Sequence, residues 1–90
     1  MNEIRTYKIA LRGETKVPMP PGHQTLWARK NGNKVDVMAR VDPKLRGQPR
    51  RFLVVTEELD KDLSVPPEFT HLASFRYGNK PVKVAHVFEE

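Results

Sequence analysis

An all-β fold, a small single-domain β-barrel or two-sheet sandwich of five to seven short strands with at most one helical turn, is what this sequence predicts. Three observations predict it. Two glycine turns, Asn31-Gly32-Asn33 and Gly78-Asn79, each sit between apolar stretches, and positive φ in a tight turn is cheap for Gly and tolerable for Asn. The apolar residues around them alternate with period two, the repeat of a half-buried strand. Turn signals recur at short spacing along the chain, as closed or two-layer β folds require.

Residues 3–11 read as the first strand, with Tyr7, Ile9 and Leu11 on one face and Ile4, Thr6, Lys8 and Ala10 on the other. Gly13 is expected to end it. Pro18, Pro20 and Pro21 remove three amide donors, so the stretch from Val17 to Gly22 should be an extended edge segment or PPII-like connector, excluded from a sheet interior. Residues 24–30 and 34–42 flank the first glycine turn, with Val35, Val37, Ala39 and Val41 inward and Asp36, Met38, Arg40 and Asp42 outward. If Asn31-Gly32 is the loop, Ala28 faces Val35 and Leu26 faces Val37. If Gly32-Asn33 is the loop, Ala28 faces Val37 and Arg29 faces Asp36. Both registers keep the apolar face intact and put Trp27 on the polar one.

Asp42-Pro43 opens a loop through Gly47 and Pro49, after which residues 51–56 give a central strand apolar on both faces. Glu57 to Pro67 reads as a long acidic connection, with one helical turn expected around Glu57–Leu63 before Pro66 and Pro67. The last hairpin pairs 69–77 with 80–88. A Gly78-Asn79 loop sets Phe75 opposite Val82, Ala73 opposite Val84, His71 opposite His86 and Phe69 opposite Phe88.

Ninety residues make one domain, spanning 1–90, in which roughly 60–65% of the unfolded chain's surface is buried. With no cysteine there is no disulfide, thiolate zinc site or cysteine nucleophile. Charged residues punctuate positions 1–20, which excludes a signal peptide or membrane span there, and the chain reads as cytoplasmic. A net charge of +5 and a pI near 9.8 permit an acidic partner. A basic tract, Arg40, Lys44, Arg46, Arg50 and Arg51, is followed by an acidic one, Glu57, Glu58, Asp60 and Asp62, so the surface should be two-signed.

No residue constellation points to a reaction. His71 and His86 come together in the expected hairpin, but no His-x-x-x-His spacing accompanies them, and a packed pair without a metal is the expectation. Ser64 and Ser74 lack a Gly-x-Ser-x-Gly setting, and no P-loop or dinucleotide fingerprint is present. Neither catalytic residues nor a cofactor are therefore assigned. For a nucleic-acid binder, Tyr7, Trp27, Phe75 and Tyr77 are the available stacking rings, but Tyr7 and Phe75 fall on apolar faces. Trp27, flanked by Arg29 and Lys30, is left with three roles: stacking a base, anchoring a protein partner, or capping a second apolar layer.

Ile4-Arg5-Thr6-Tyr7, Val17-Pro18-Met19-Pro20 with Gly22, Val41-Asp42-Pro43, Arg51-Phe52-Leu53-Val54-Val55 and His86-Val87-Phe88-Glu89 mark the chain. Through these stretches it resembles, over nearly its whole length, a family of short uncharacterised phage and prophage proteins classed as a domain of unknown function. Where similar proteins carry a Thr-Gly-rich turn after the central strand, this chain has Thr56-Glu57-Glu58. The resemblance implies a phage origin, a host-cell cytoplasmic setting and a compact β-rich fold, without an activity or site residues to carry over. The expected function is that of a non-enzymatic accessory protein that binds a macromolecule, foremost a protein of the host machinery or its defences. The alternative is a single-stranded nucleic-acid binder. The expected partner-binding residues are Trp27, Arg29, Arg40, Lys44, Arg46, Arg50 and Arg51.

Overall fold

The computed structural model describes residues 2–60, 62 and 64–90. They form seven strands: β1 Glu3–Ala10, β2 Gly13–Met19, β3 Gln24–Asn31, β4 Lys34–Val41, β5 Gln48–Thr56, β6 Thr70–Tyr77 and β7 Lys83–Glu89. These pair into two antiparallel sheets, one in the order β1-β4-β3 and one in the order β2-β5-β7-β6. All-β architecture was legible; the division between the sheets is what the alternation alone left open.

The inner faces meet over a core of Ile9, Ala28, Val35, Val37, Ala39 and Val41 from the smaller sheet and Val17, Met19, Phe52, Val54, Ala85 and Val87 from the larger. β-branched and small residues dominate because each inner position must fit a pleated surface against a second one. At the corner between the sheets, Gly13 adopts φ 88° and opens a strand where a terminator was expected. Thr15 Oγ1 accepts from the Ala10 amide at 3.0 Å and straps that corner. β2 is an edge strand, as its proline requires, and Pro18 lies opposite Pro49 beyond the reach of β7.

The first hairpin takes the Gly32-Asn33 register, with Ala28 opposite Val37 and Arg29 opposite Asp36. One expectation fails there. A bulge between Thr25 and Trp27 leaves Leu26 unpaired and half exposed instead of inward, because Thr25 takes the inner position opposite Ala39 and donates its hydroxyl to Glu89. The second hairpin is three residues out of the expected register: Phe75 faces Ala85, Ala73 faces Val87 and Ser74 faces His86. Its loop runs from Gly78 to Val82, since Pro81 has no N–H to give a ladder and pairing begins only at Lys83. Val82 is accordingly exposed, and Phe69 is buried ahead of β6 with the Arg51 guanidinium 5.1 Å from its ring.

The acidic connection contains no helix among its described residues; Lys61 and Leu63 lie outside them. Asp60 N–H reaches the Thr56 carbonyl at 2.9 Å and Asp60 Oδ2 accepts from the Thr56 amide at 2.8 Å. This single closed turn is not continued, because Glu58 sits in the left-handed region at φ 76°. No helix of the described residues is long and apolar enough to cross a membrane.

Candidate partner-binding face

The register of β1-β4-β3 lays the outer face of the smaller sheet out in rows. Ile4, Arg40 and Gln24 form one; Thr6, Met38 and Trp27 the next; Lys8, Asp36 and Arg29 the third. Trp27 is 53% exposed beside the half-buried Met38, and Ile4, 66% exposed, lies one row away on the far side of β4. The Arg29 guanidinium lies 5.4 Å from the Trp27 ring centroid, a cation–π contact that holds the indole on the surface. Arg40 donates to Gln24 at the far end of the patch.

Asp36 sits on this outer face yet is only 3% exposed, contrary to the solvated position its alternation suggests. Three neighbours bury it. Lys8 Nζ donates to Oδ1 at 2.9 Å, Asn31 Nδ2 donates to Oδ2 at 3.0 Å, and Arg29 Nε stands 4.0 Å away. The hydrogen bonds from Lys8 and Asn31 hold its carboxyl below the usual 3.8, outweighing the desolvation that would raise it. With one acid against Lys8, Arg29, Arg40 and Lys34, the face carries a cationic surplus around an apolar centre.

The structure therefore unites Trp27, Arg29 and Arg40, and separates them from the rest of the expected set. Lys44 and Arg46 lie in the exposed loop after Val41, where Asp42 caps the Lys44 amide at 3.1 Å. Arg51 is on the outer face of the larger sheet and serves three acids: Glu14 at 3.3 Å, Glu68 at 3.6 Å and Glu90. Arg50, one residue earlier, turns to the opposite side and lines a cavity at the end of the sandwich. Ile4 and Met38 were missed as members of the Trp27 patch, although Met38 was already assigned outward and Ile4 to the face opposite Tyr7, Ile9 and Leu11.

The larger sheet's outer face carries a chain of polar side chains. Glu57 Oε2 accepts from His86 Nε2 at 2.8 Å, Ser74 Oγ is 2.6 Å from His86 Nδ1, and His71 Nε2 is 2.7 Å from the same hydroxyl. The rings are 5.9 Å apart, so the expected histidine pair exists as neighbours bridged by Ser74 and offset from direct opposition. A carboxylate, an imidazole and a hydroxyl in sequence is the order of a nucleophilic triad. Here the hydroxyl is held between two imidazole rings on the outer surface of the sheet. Among the described residues no group of three or more His, Asp or Glu is arranged to hold a metal ion.

The other three candidate stacking rings face inward. Tyr7, Phe75 and Tyr77 pack against the core, and Lys30 and Lys83 each place an ammonium 5.6 Å from the Tyr77 ring, closing the seam between the sheets. Comparison with protein-family models, curated proteins and solved structures gives no significant match.

Proposed function

We propose that this protein is a binding module that docks the outer face of its three-stranded sheet onto an acidic protein surface. The observation that carries this reading is the exposed Trp27, held by Arg29 beside Met38, with Ile4 one row away, and ringed by cations. A rigid aromatic at the centre of a patch with a polar rim is the composition of an interface hot spot. A single-stranded nucleic acid needs successive stacking platforms, and this face offers one ring. The resemblance to phage proteins supports an accessory role against host machinery or defence, in the cytoplasm of an infected cell.

The test compares immobilised wild type with Trp27→Ala in nuclease-treated bacterial lysate, alongside titration of a fluorescent oligo(dT) in rising salt. The proposal expects a protein retained by the wild type and lost by the variant, with no saturable oligonucleotide binding at physiological salt. Equal capture by both proteins overturns the Trp27 assignment. Oligonucleotide binding that collapses steeply with salt supports the nucleic-acid reading instead.

A further inference from the structure

The line of polar side chains on the outer face of the larger sheet has a direction. Glu57 follows β5 directly, its amide donates to the Val84 carbonyl at 2.8 Å, and its carboxylate can only accept. The proton between Glu57 Oε2 and His86 Nε2, 2.8 Å apart, therefore belongs to the imidazole. A neutral ring protonated at Nε2 leaves Nδ1 as an acceptor, so the Ser74 hydroxyl, 2.6 Å away, donates to it. With that proton committed, His71 Nε2 donates to the Ser74 oxygen at 2.7 Å. This bond takes one lone pair of Oγ and leaves the other open on an exposed residue.

Strand pairing holds the arrangement in place. Ser74 lies opposite His86, and alternation turns it outward because Ala73 and Phe75 pack against the core. The next outward residue on β6 is Arg76, which brings a cation to the same face. Phe88 sets its ring 5.5 Å from that of His71, and Val55 lies opposite His86 on its other side, so the polar line has an apolar border.

We infer that Ser74 is a nucleophile that accepts an acyl group from a small activated ester, with His86 as its general base. A hydroxyl bonded to a base that a third group orients is the arrangement that activates such a nucleophile. Oγ bonds to the carbonyl carbon while its proton passes to His86 Nδ1, and Glu57 offsets the imidazolium charge. The carbonyl oxygen is anionic until the intermediate collapses. The carbon–oxygen bond to the leaving group then breaks, its electron pair departs with that oxygen, and His86 returns the proton to it. Ser74 is left as an ester and the leaving group as a free phenol or alcohol. Base and hydroxyl stand in water, where fixed charges stabilise an oxyanion less than in a closed site, so the reaction is confined to esters with good leaving groups. The apolar border suits a short alkyl chain.

The experiment treats the folded wild-type protein with p-nitrophenyl butyrate, follows p-nitrophenolate release, and locates the butyryl group by tandem mass spectrometry after an acid quench. Ser64, the chain's only other serine, is the internal reference. The expected result is butyryl on Ser74 and none on Ser64, with release slowed by roughly a hundredfold or more in His86→Ala. Glu57 acts through His86, so its readout is the tautomer: long-range proton–nitrogen NMR spectra in mildly alkaline buffer should place the His86 proton on Nε2 in the wild type, and Glu57→Ala should mix the two tautomers. Three results overturn the inference: equal modification of Ser64 and Ser74, release from Ser74→Ala as fast as from the wild type, or a His86 proton on Nδ1 in the wild type. The first and last are read in the wild type and do not depend on how a variant folds.

Discussion

The outer faces of the two sheets use similar residues to opposite ends. On the larger sheet charge is consumed within the molecule: Arg51 serves three acids, and Glu57, His86, Ser74 and His71 satisfy one another in a line. Apolar residues there are covered, with Leu53 only 8% exposed although its register position points outward. On the smaller sheet the apolar residues are open and the cations outnumber the single buried acid. A face whose groups already satisfy each other has little to offer a partner. The other keeps a large aromatic in water, which a monomer has no reason to do unless something else covers it.

The comparison breaks first at Trp27. Trp27→Ala should weaken partner binding by ~2–4 kcal/mol while the denaturant midpoint hardly moves, since the ring is not core. A strongly destabilised variant, at the ~3–5 kcal/mol of a lost core aromatic, would mean that a second layer buries this face.

Asp36→Ala comes next, because that carboxylate is buried and accepts from Lys8 and Asn31. A loss of about 1.5–3 kcal/mol is expected from chemical denaturation at neutral pH, the range for hydrogen bonds to a charged group. The pH dependence has a definite sign. Asp36 and Asp60 are both held below 3.8, Asp36 by Lys8 and Asn31, Asp60 by the Thr56 amide and Arg12. Depressed carboxyls contribute stability above their unfolded value and lose it as pH falls through the folded one. Acid titrations of thermal stability should therefore show a smaller drop below 3.8 for Asp36→Asn than for the wild type.

Arg51→Ala should move the same melt less than Asp36→Ala does, despite its three acidic neighbours, because the cluster is solvated. It should also leave partner binding unchanged at equilibrium, in contrast with Arg29→Ala. Smallest of all is the effect of metal. Zinc should not raise the melting temperature nor chelator lower it, as Ser74 already bridges the histidines; a chelator-sensitive melt would show a structural ion on that face.

How far the fold could be read ahead of the structure differs between the hairpins for a physical reason. In the first, Gly32 at φ 62° and clean alternation in β4 leave two registers, and Arg29 opposite Asp36 is the one adopted. In the second, Gly78 gives the same signal at φ 83°, but Pro81 delays pairing and shifts the partners of residues 73–77 by three, and a bulge between His71 and Ala73 brings His71 back to a shift of two, opposite Phe88. Trp27 was legible as outward because strand alternation is local. Its isolation from Arg50 and Arg51 was not, because adjacent residues on β5 point to opposite sides of a sheet that does not contain Trp27. The bulge at Leu26 depends on Glu89, more than sixty residues away, and no local pattern carries it.

Trp27 is the sole tryptophan of the chain, so intrinsic fluorescence reports on this face alone. Acrylamide quenching of the isolated monomer tests most directly whether the three-stranded sheet presents an open surface. An exposed indole predicts a red-shifted emission and a quenching constant of the same order as that of free N-acetyltryptophanamide. A blue-shifted emission that acrylamide barely quenches would contradict it, placing Trp27 under cover and removing the face from consideration as a docking surface.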